Sequence, residues 1–116
     1  MRSLPTDVVG VEAATSLFRS LGEPVRLAIL TRLMLGEQRV VDLTEHLGLA
    51  QSTVSGHLRC LLDCGLVEVR AVGRSSVYSL AVPDRLHALL VAAEGLLEAT
   101  GDAVTLCPVY GTGASR

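Results

Sequence analysis

The spacing of the apolar residues changes at Gly65, and this change constrains the fold more than any other feature of the chain. Before Gly65 the apolar residues recur three or four positions apart, which predicts a helix over about residues 51–64. After Gly65 apolar and polar residues alternate, which predicts a β-hairpin with Gly73–Arg74 near its tip. The core-facing stripe of the helix consists of Val54, Leu58, Leu61 and Leu62.

Helical periodicity, with glycine and proline at the ends, predicts four more helices. Gln51 or Ser52 is expected to cap the helix that precedes the hairpin. Two short helices joined by a tight turn and followed by a hairpin make a winged helix-turn-helix, so the predicted fold is mostly α with one β-hairpin. The four additional helices cover roughly residues 11–21, 24–35, 40–47 and 83–100.

We expect one domain, because 116 residues suffice for a single modest core. The domain covers residues 11–100, between a flexible N-terminus (residues 1–10) and a C-terminal tail (residues 101–116). Aromatic residues make up only 3% of the chain, so the core must consist mainly of Leu, Val and Ala. The first and last helices carry longer apolar stripes than a small core needs, which predicts a homodimer through these helices. Packing within the core is the alternative role for the stripes.

The distribution of charge allows nucleic-acid binding only in the middle of the chain. All ten basic residues are arginines, twelve residues are acidic, and the net charge is -2. Such a balance is not typical of a nucleic-acid-binding chain as a whole. Residues 50–82 nevertheless carry more basic than acidic residues, whereas residues 83–116 are acidic. Contact with a polyanion is therefore assigned to residues 50–82.

In a helix-turn-helix, the second helix lies in the major groove of DNA. Its predicted outward face carries Gly56, small hydroxyls and one arginine, which allow close approach and donate to phosphates or base edges. Such a face can also be a merely solvated surface, but the hairpin directly after it favours double-stranded DNA as the partner. With the hairpin tip included, the candidate DNA-binding residues are Gln51, Ser52, Ser55, Arg59 and Arg74.

Three cysteines form a second candidate site. Cys60 and Cys64 lie on one flank of the helix over residues 51–64, outside the core stripe, and Cys107 lies in the tail. Cβ atoms four residues apart on a helix are about 5–6 Å apart, further than the roughly 3.8 Å of a disulfide. Two such sulfurs can instead share a metal ion. Three thiolates favour a large, soft ion over zinc, which usually takes four ligands. His57, on the same flank, is a candidate fourth ligand, although packing or DNA-backbone contact is the commoner role.

The cysteines allow two alternatives to a metal site. They are packing residues without function, or a redox sensor in which Cys107 joins Cys60 or Cys64. A thiol enzyme is disfavoured, because the chain has no C-x-x-C motif, so we predict that the protein is not an enzyme. An odd number of cysteines fits the reducing cytoplasm. No stretch is apolar enough for a signal peptide or a membrane span, so we expect no membrane partner.

Three segments resemble the ArsR/SmtB family of metal-sensing repressors, namely EPVRLAILTRL, VVDLTEHLGLAQSTVSGHLRCLLDCGLVEV and GRSSVYSL. The resemblance covers about residues 12–100, and STVSGHLRCLLDCGLV is most similar to the cadmium- and lead-sensing CmtR branch. It implies a winged-helix homodimer that binds an inverted-repeat operator and is released by a soft divalent ion, cadmium or lead, with zinc as a further candidate. It also implies that Cys60 and Cys64 of one protomer and Cys107 of the other bind the ion.

Two other metal sites of that family are not expected in this chain. The third helix, in the stretch EQRVVDL, has no C-x-C pair. The last helix has Asp84 and His87 near its start, followed by Glu94 and Glu98, but no second histidine. An Asp–His site on that helix would be incomplete. The sign of the metal effect on DNA affinity is implied by the resemblance alone.

Overall fold

In the computed structural model, residues 6–106 are described, and they form five helices and a three-stranded antiparallel sheet. The predicted winged helix-turn-helix is confirmed: α3 and α4 are the helix pair, and β2 and β3 are the wing. The helices are α1 (Thr6–Leu21), α2 (Pro24–Leu33), α3 (Val40–Leu47), α4 (Gln51–Asp63) and α5 (Pro83–Ala99). The strands are β1 (Gln38–Arg39), β2 (Val67–Val72) and β3 (Ser75–Leu80).

The first helix is longer than its apolar spacing predicts. The spacing places its start near residue 11, whereas α1 begins at Thr6. Gly10 interrupts the apolar pattern, but one glycine disfavours a helix by only about 1 kcal/mol, so the helix continues through it. Of the N-terminal segment expected to be flexible, residues 6–10 are therefore helical, and residues 1–5 lie outside the described part of the chain.

The sheet contains a strand that the sequence does not predict. The strand order is β1-β3-β2, and Gln38 and Arg39 of β1 pair with Tyr78 and Val77 of β3. A strand of two residues is too short to show an alternating pattern, so it can be recognised only once β3 is in place. Because β1 leads directly into α3, this pairing fixes the start of the helix pair against the wing.

The core is aliphatic, as the composition predicts. Val54, Leu58 and Leu61 of α4 have no exposed surface, whereas Leu62 is only partly buried. Full burial of one such side chain stabilises the fold by about 1.5–3 kcal/mol, so these three side chains fix the rotation of α4 about its own axis. The largest fully buried side chains are Ile29, Leu30, Leu43, Leu58, Leu61 and Val54, from α2, α3 and α4.

Helices α1 and α5 leave large apolar side chains on the surface. Phe18 of α1 is 58% exposed and Leu96 of α5 is 68% exposed, and Val11 and Val91 of the same helices are exposed as well. The apolar stripes of both helices are thus only partly used by the core. These residues do not form a membrane span, because no helix within residues 6–106 has the length and hydropathy to cross a bilayer.

Candidate nucleic-acid interface and thiol site

A tight turn at Gly48 sets the position of α4 against α3. Gly48 has a φ of 68°, a left-handed conformation that residues with a Cβ rarely adopt. Its N–H donates to the carbonyl oxygen of Thr44 at 2.9 Å. The chain therefore turns sharply after α3, and α4 begins at Gln51 with Ala50 as its N-cap. Since Val54, Leu58 and Leu61 are buried, the opposite face of α4 is presented to solvent.

Four of the predicted DNA-binding residues lie on α4, and all four are exposed: Gln51, Ser52, Ser55 and Arg59. Arg59 has no ion-pair partner within residues 6–106. The expectation that Gln51 or Ser52 caps α4 is wrong, because both residues lie inside the first turn and the N-cap residue, Ala50, has no side-chain acceptor. The first N–H groups of α4 are therefore left without a side-chain acceptor, an arrangement that suits a phosphate.

Gly56 lies on the exposed face in the middle of α4. Glycine at an interior helix position is destabilising by roughly 0.5–1 kcal/mol relative to alanine. A Cβ atom placed at Gly56 would meet no atom of the described residues within 4 Å, so packing within residues 6–106 does not require the glycine. A glycine at this position would allow the backbone of a bound nucleic acid to approach α4 closely.

The wing carries one arginine that is open to solvent and one that is paired. Arg74 is exposed at the tip, next to Gly73, whose φ is 61°. Arg70 on β2 instead donates through Nη2 to Oε2 of Glu37 at 2.9 Å. Hydrogen bonding between the two side chains lowers the pKa of Glu37 and raises the pKa of Arg70. Glu37 lies outside residues 50–82, so a count of charges by segment overestimates the free positive charge of the wing.

Cys60 and Cys64 are both free and exposed, so neither is a core residue. Cys64 is the C-cap of α4, and its N–H donates to the carbonyl oxygen of Cys60 at 3.1 Å. The helix ends in a Schellman motif, in which the N–H of Gly65 donates to Leu62 and the N–H of Leu66 to Leu61, both at 3.0 Å. The backbone thus holds the two thiols one turn apart on one flank, as the sequence predicts.

His57, the candidate fourth ligand, contacts α2. Its Nδ1 lies 3.6 Å from Oε1 of Glu23, and the same oxygen accepts a hydrogen bond from the N–H of Arg26 at 2.9 Å. The Arg26 N–H, followed by the charge of His57, holds the pKa of Glu23 below its ordinary value of 4.5. This contact points the Nδ1 side of the ring towards α2. No local pattern in the sequence indicates Glu23 as the partner of His57.

The third predicted ligand, Cys107, lies outside the described residues. Within residues 6–106, no three His, Cys, Asp or Glu side chains form a group that could hold a metal ion. The donor chemistry of the two described thiols fits a soft ion, because thiolate sulfur is the ligand type that such ions prefer. They do not by themselves make the four-ligand tetrahedral site of structural zinc.

Comparisons of the sequence match this chain to bacterial regulators. A profile of the family described as "Bacterial regulatory protein, arsR family" matches residues 23–69. The "Probable mercury resistance operon repressor" of Streptomyces lividans is 35% identical over 106 residues, which cover 90% of this chain and 84% of that protein. The "HTH-type transcriptional regulator CmtR" of Mycobacterium tuberculosis is 45% identical over 69 residues, which cover 60% of this chain and 58% of that protein.

The fold also matches a solved structure from Mycobacterium bovis. That solution structure is described as the homodimeric winged helix-turn-helix DNA-binding domain of a possible ArsR-family transcriptional regulator. The two chains are 27% identical, the TM-score is 0.67, and the match covers 80% of this chain and 88% of the other. The helix pair and wing described above are therefore an arrangement found in a DNA-binding domain.

Proposed function

The chain belongs to the ArsR family of bacterial regulatory proteins, and on this basis we propose that it is a repressor that a soft, thiophilic metal ion releases from its operator. Its relatives are DNA-binding transcriptional regulators and not enzymes, as the sequence predicts. The proposed ion is of the cadmium or lead class, with zinc as the further candidate. The proposed ligands are Cys60, Cys64 and Cys107.

The observation that carries the proposal is the position of two exposed thiols on the helix that would read DNA. Cys60 lies on α4 and Cys64 is its C-cap, and the buried face of this helix is fixed by the core. A helix is rigid over this length, so a displacement of its C-terminal end also displaces Ser55 and Arg59. Coupling between the thiols and the DNA-binding face therefore needs no relay through another element.

Sulfur chemistry supports the proposed class of ion. When bound, a soft ion would hold the three thiolates together. Each thiol releases its proton in order to bind, so affinity for the ion is expected to rise with pH. The Streptomyces lividans relative is described as a probable mercury resistance operon repressor, and mercury is likewise a thiophilic metal.

The exposed side chains of α4 and the wing are assigned complementary roles on DNA. Gln51, Ser52 and Ser55 would reach base edges or phosphates in the major groove from the first turns of α4. Arg59 would add a positive charge further along the same face. Arg74 would contact phosphate or the minor groove from the wing.

A homodimer is part of the proposal, because Arg59 and Arg74 alone provide little charge for DNA binding. Phe18 and Leu96 are more than half exposed on α1 and α5, and a second copy of the chain would remove them from water. The Mycobacterium bovis domain with the same fold is described as homodimeric. Two copies would place their α4 helices in successive major grooves of an inverted repeat.

The proposed coupling joins α4 to the segment that follows α5. In the metal-free dimer the two α4 helices would fit successive major grooves. Once Cys107 shares an ion with Cys60 and Cys64, the end of α4 is tied to that segment and its orientation changes. Allosteric coupling of about 1–3 kcal/mol is typical, which corresponds to a loss of operator affinity of roughly 5- to 150-fold.

A gel-shift assay with the upstream region of the gene tests this function. It would compare the wild type, Cys60→Ser and a control, Thr53→Ser, which changes another exposed residue of α4. Each protein is assayed without metal and with cadmium, lead, zinc or copper(I). We expect all three proteins to bind DNA without metal, and cadmium or lead to release the wild type and Thr53→Ser only. Release of Cys60→Ser at the same ion concentration would contradict the proposal.

The exposure of both thiols also favours a second candidate, a thiol-redox-sensing repressor. In that case Cys107 and either Cys60 or Cys64 would give up two electrons and two protons to a peroxide, which is reduced to water while a disulfide forms. Mass spectrometry after mild hydrogen peroxide treatment distinguishes the two candidates. A disulfide together with release of DNA in the absence of metal would favour the redox sensor over the metal sensor.

A further inference from the structure

The ion pair between Glu37 and Arg70 connects two parts of the domain that the sheet does not connect directly. Arg70 lies on β2, and Glu37 is the residue before β1. In the described part of the chain, β1 and β2 each pair with β3 and not with one another. The guanidinium of Arg70 donates through both Nη atoms to the two carboxylate oxygens of Glu37. The pair therefore crosses β3, and we call it the wing strap.

The end of the wing strap that carries Glu37 is fixed to the helix pair. Two residues later, Arg39 is both the last residue of β1 and the N-cap of α3. Its Nε and Nη2 donate to the carboxylate of Asp42 in the first turn of α3, both at 3.0 Å. Arg39 and Arg70 are also both opposite Val77 of β3, so their side chains lie on the same face of the sheet. The wing strap therefore ties β2 to the segment that leads into α3.

The wing tip extends beyond the end of the third strand. Within residues 6–106, β1 pairs only with Val77 and Tyr78, so the ladder from there to the tip consists of β2 and β3 alone. A two-stranded hairpin by itself is marginally stable at best in water. Arg70 lies opposite Val77, where the third strand ends, and Arg74 follows four residues later at the tip. The wing strap is therefore placed to restrict the direction of the tip.

We propose that Glu37 and Arg70 position the wing for operator binding, so that Glu37 strengthens DNA binding although its own charge opposes it. The inference rests on the proposed function, because it requires that the wing contacts the operator. Arg70 is a positioning residue here, and the contact with DNA is left to Arg74. Hydrogen bonding to Arg70 lowers the pKa of Glu37, so the carboxylate is ionised at neutral pH and stays paired.

The wing strap predicts a change of affinity opposite in sign to that expected from charge alone. Glu37→Gln removes a negative charge and releases Arg70, and both changes by themselves would strengthen binding to a polyanion. If the strap holds the wing, its loss means that the tip must be ordered when DNA binds, and affinity falls. Because exposed ion pairs contribute modestly to stability, we expect operator affinity to fall by about twofold to fivefold.

The test measures the affinity of the full-length, metal-free protein for the upstream region of the gene by fluorescence anisotropy, over a range of salt concentrations. The variants are Glu37→Gln, Arg70→Gln and the double variant that carries both substitutions. The matched control is Glu68→Gln, which removes the same charge from β2. Glu68 belongs to none of the ion pairs found within residues 6–106.

Two further readouts separate positioning from a direct contact and from a general loss of stability. The slope of log affinity against log salt should be the same in Arg70→Gln and the wild type, because a positioning residue neutralises no phosphate. NMR order parameters of the DNA-free protein should fall at Gly73 and Arg74 in Glu37→Gln and in Arg70→Gln. They should be unchanged at these residues in Glu68→Gln, and unchanged in the helices of all variants.

The outcomes distinguish the wing strap from the function on which it rests. Weaker DNA binding by both single variants, with the double variant no weaker than either and Glu68→Gln at least as tight as the wild type, supports the strap. Binding by Glu37→Gln as tight as the wild type or tighter, or additive losses in the double variant, overturns the strap and leaves the proposed function intact. Failure of the wild type to bind this DNA overturns the proposed function, and the strap's role in it.

Discussion

Gly56 is a residue at which stability and DNA affinity are expected to change in opposite directions. Gly56→Ala should raise the free energy of unfolding by about 0.5–1 kcal/mol, because alanine is the better helix former and its Cβ has open space. The same methyl group should weaken operator binding by about 1–3 kcal/mol, because it would separate the backbone of α4 from the DNA backbone that is proposed to approach it closely. Chemical denaturation and fluorescence anisotropy measure the two effects.

The control for Gly56 is Gly10→Ala on α1, where an added Cβ likewise meets no atom within 4 Å in the described part of the chain. It should stabilise the protein to a similar extent and leave operator affinity unchanged. Unaltered operator affinity in Gly56→Ala would show that this face of α4 does not approach DNA.

Arg59 is expected to contribute through its charge, since no ion-pair partner neutralises it within residues 6–106. Arg59→Ala should weaken operator binding and reduce the slope of log affinity against log salt by about 0.9 per protomer. Arg85→Ala, an exposed arginine at the start of α5, serves as the control and should leave the slope unchanged. An unchanged slope in Arg59→Ala would place Arg59 away from DNA.

At the residue scale, sequence predicts which way a side chain points better than it predicts its partner. The helical spacing of α4 correctly separates buried Val54, Leu58 and Leu61 from exposed Arg59, Cys60 and Cys64. The pairing of Arg70 with Glu37 and the contact of His57 with Glu23 join residues 33 and 34 positions apart. Only the folded chain brings such residues together.

Among the elements, α2 provides a prediction about pH. Glu23 caps this helix, and its pKa is lowered by the Arg26 N–H and by His57. A lowered pKa in the folded state means that the ionised carboxylate stabilises the fold above pH 4.5, and that this contribution is lost as pH falls through the folded-state pKa.

Glu23→Gln should therefore be less stable than the wild type at pH 7, and the difference should shrink in acid below pH 4.5. Urea denaturation at neutral and acidic pH measures it. Glu68→Gln on β2 is the control, because Glu68 lies in a strand and caps no helix. A constant difference between the wild type and Glu23→Gln at both pH values would contradict the proposed role of the cap.

Most of the helices and strands could be predicted from the sequence, because each has a periodic apolar pattern or a glycine or proline at its end. Gly48 and Gly65 both have positive φ at the ends that the sequence assigns to α3 and α4. The exceptions are β1, which is too short for a period, and the start of α4, where Ala50 is the N-cap although polar residues follow it. Pairing with β3 determines β1, and the geometry of the turn after Gly48 determines the start of α4.

For the whole molecule, the proposed function requires a dimer through the exposed apolar residues of α1 and α5. Leu96→Glu should weaken the dimer by about 1.5–3 kcal/mol per protomer, because it places a charge where a second copy of the chain would bury the leucine. Sedimentation equilibrium measures this, and operator affinity should fall with it. Leu35→Glu, at a leucine that is 51% exposed outside both helices, is the control. Equal dimer stability in Leu96→Glu and the wild type would exclude the exposed apolar residues of α1 and α5 as the dimer interface.

The most direct test of the central claim is the number of sulfur atoms around cadmium bound to the full-length protein, measured by X-ray absorption spectroscopy. We predict three sulfur neighbours in the wild type, and two in Cys107→Ser and in Cys60→Ser. Two or fewer sulfur neighbours in the wild type, or the same number in the wild type and Cys107→Ser, would contradict the claim that three cysteines share the ion.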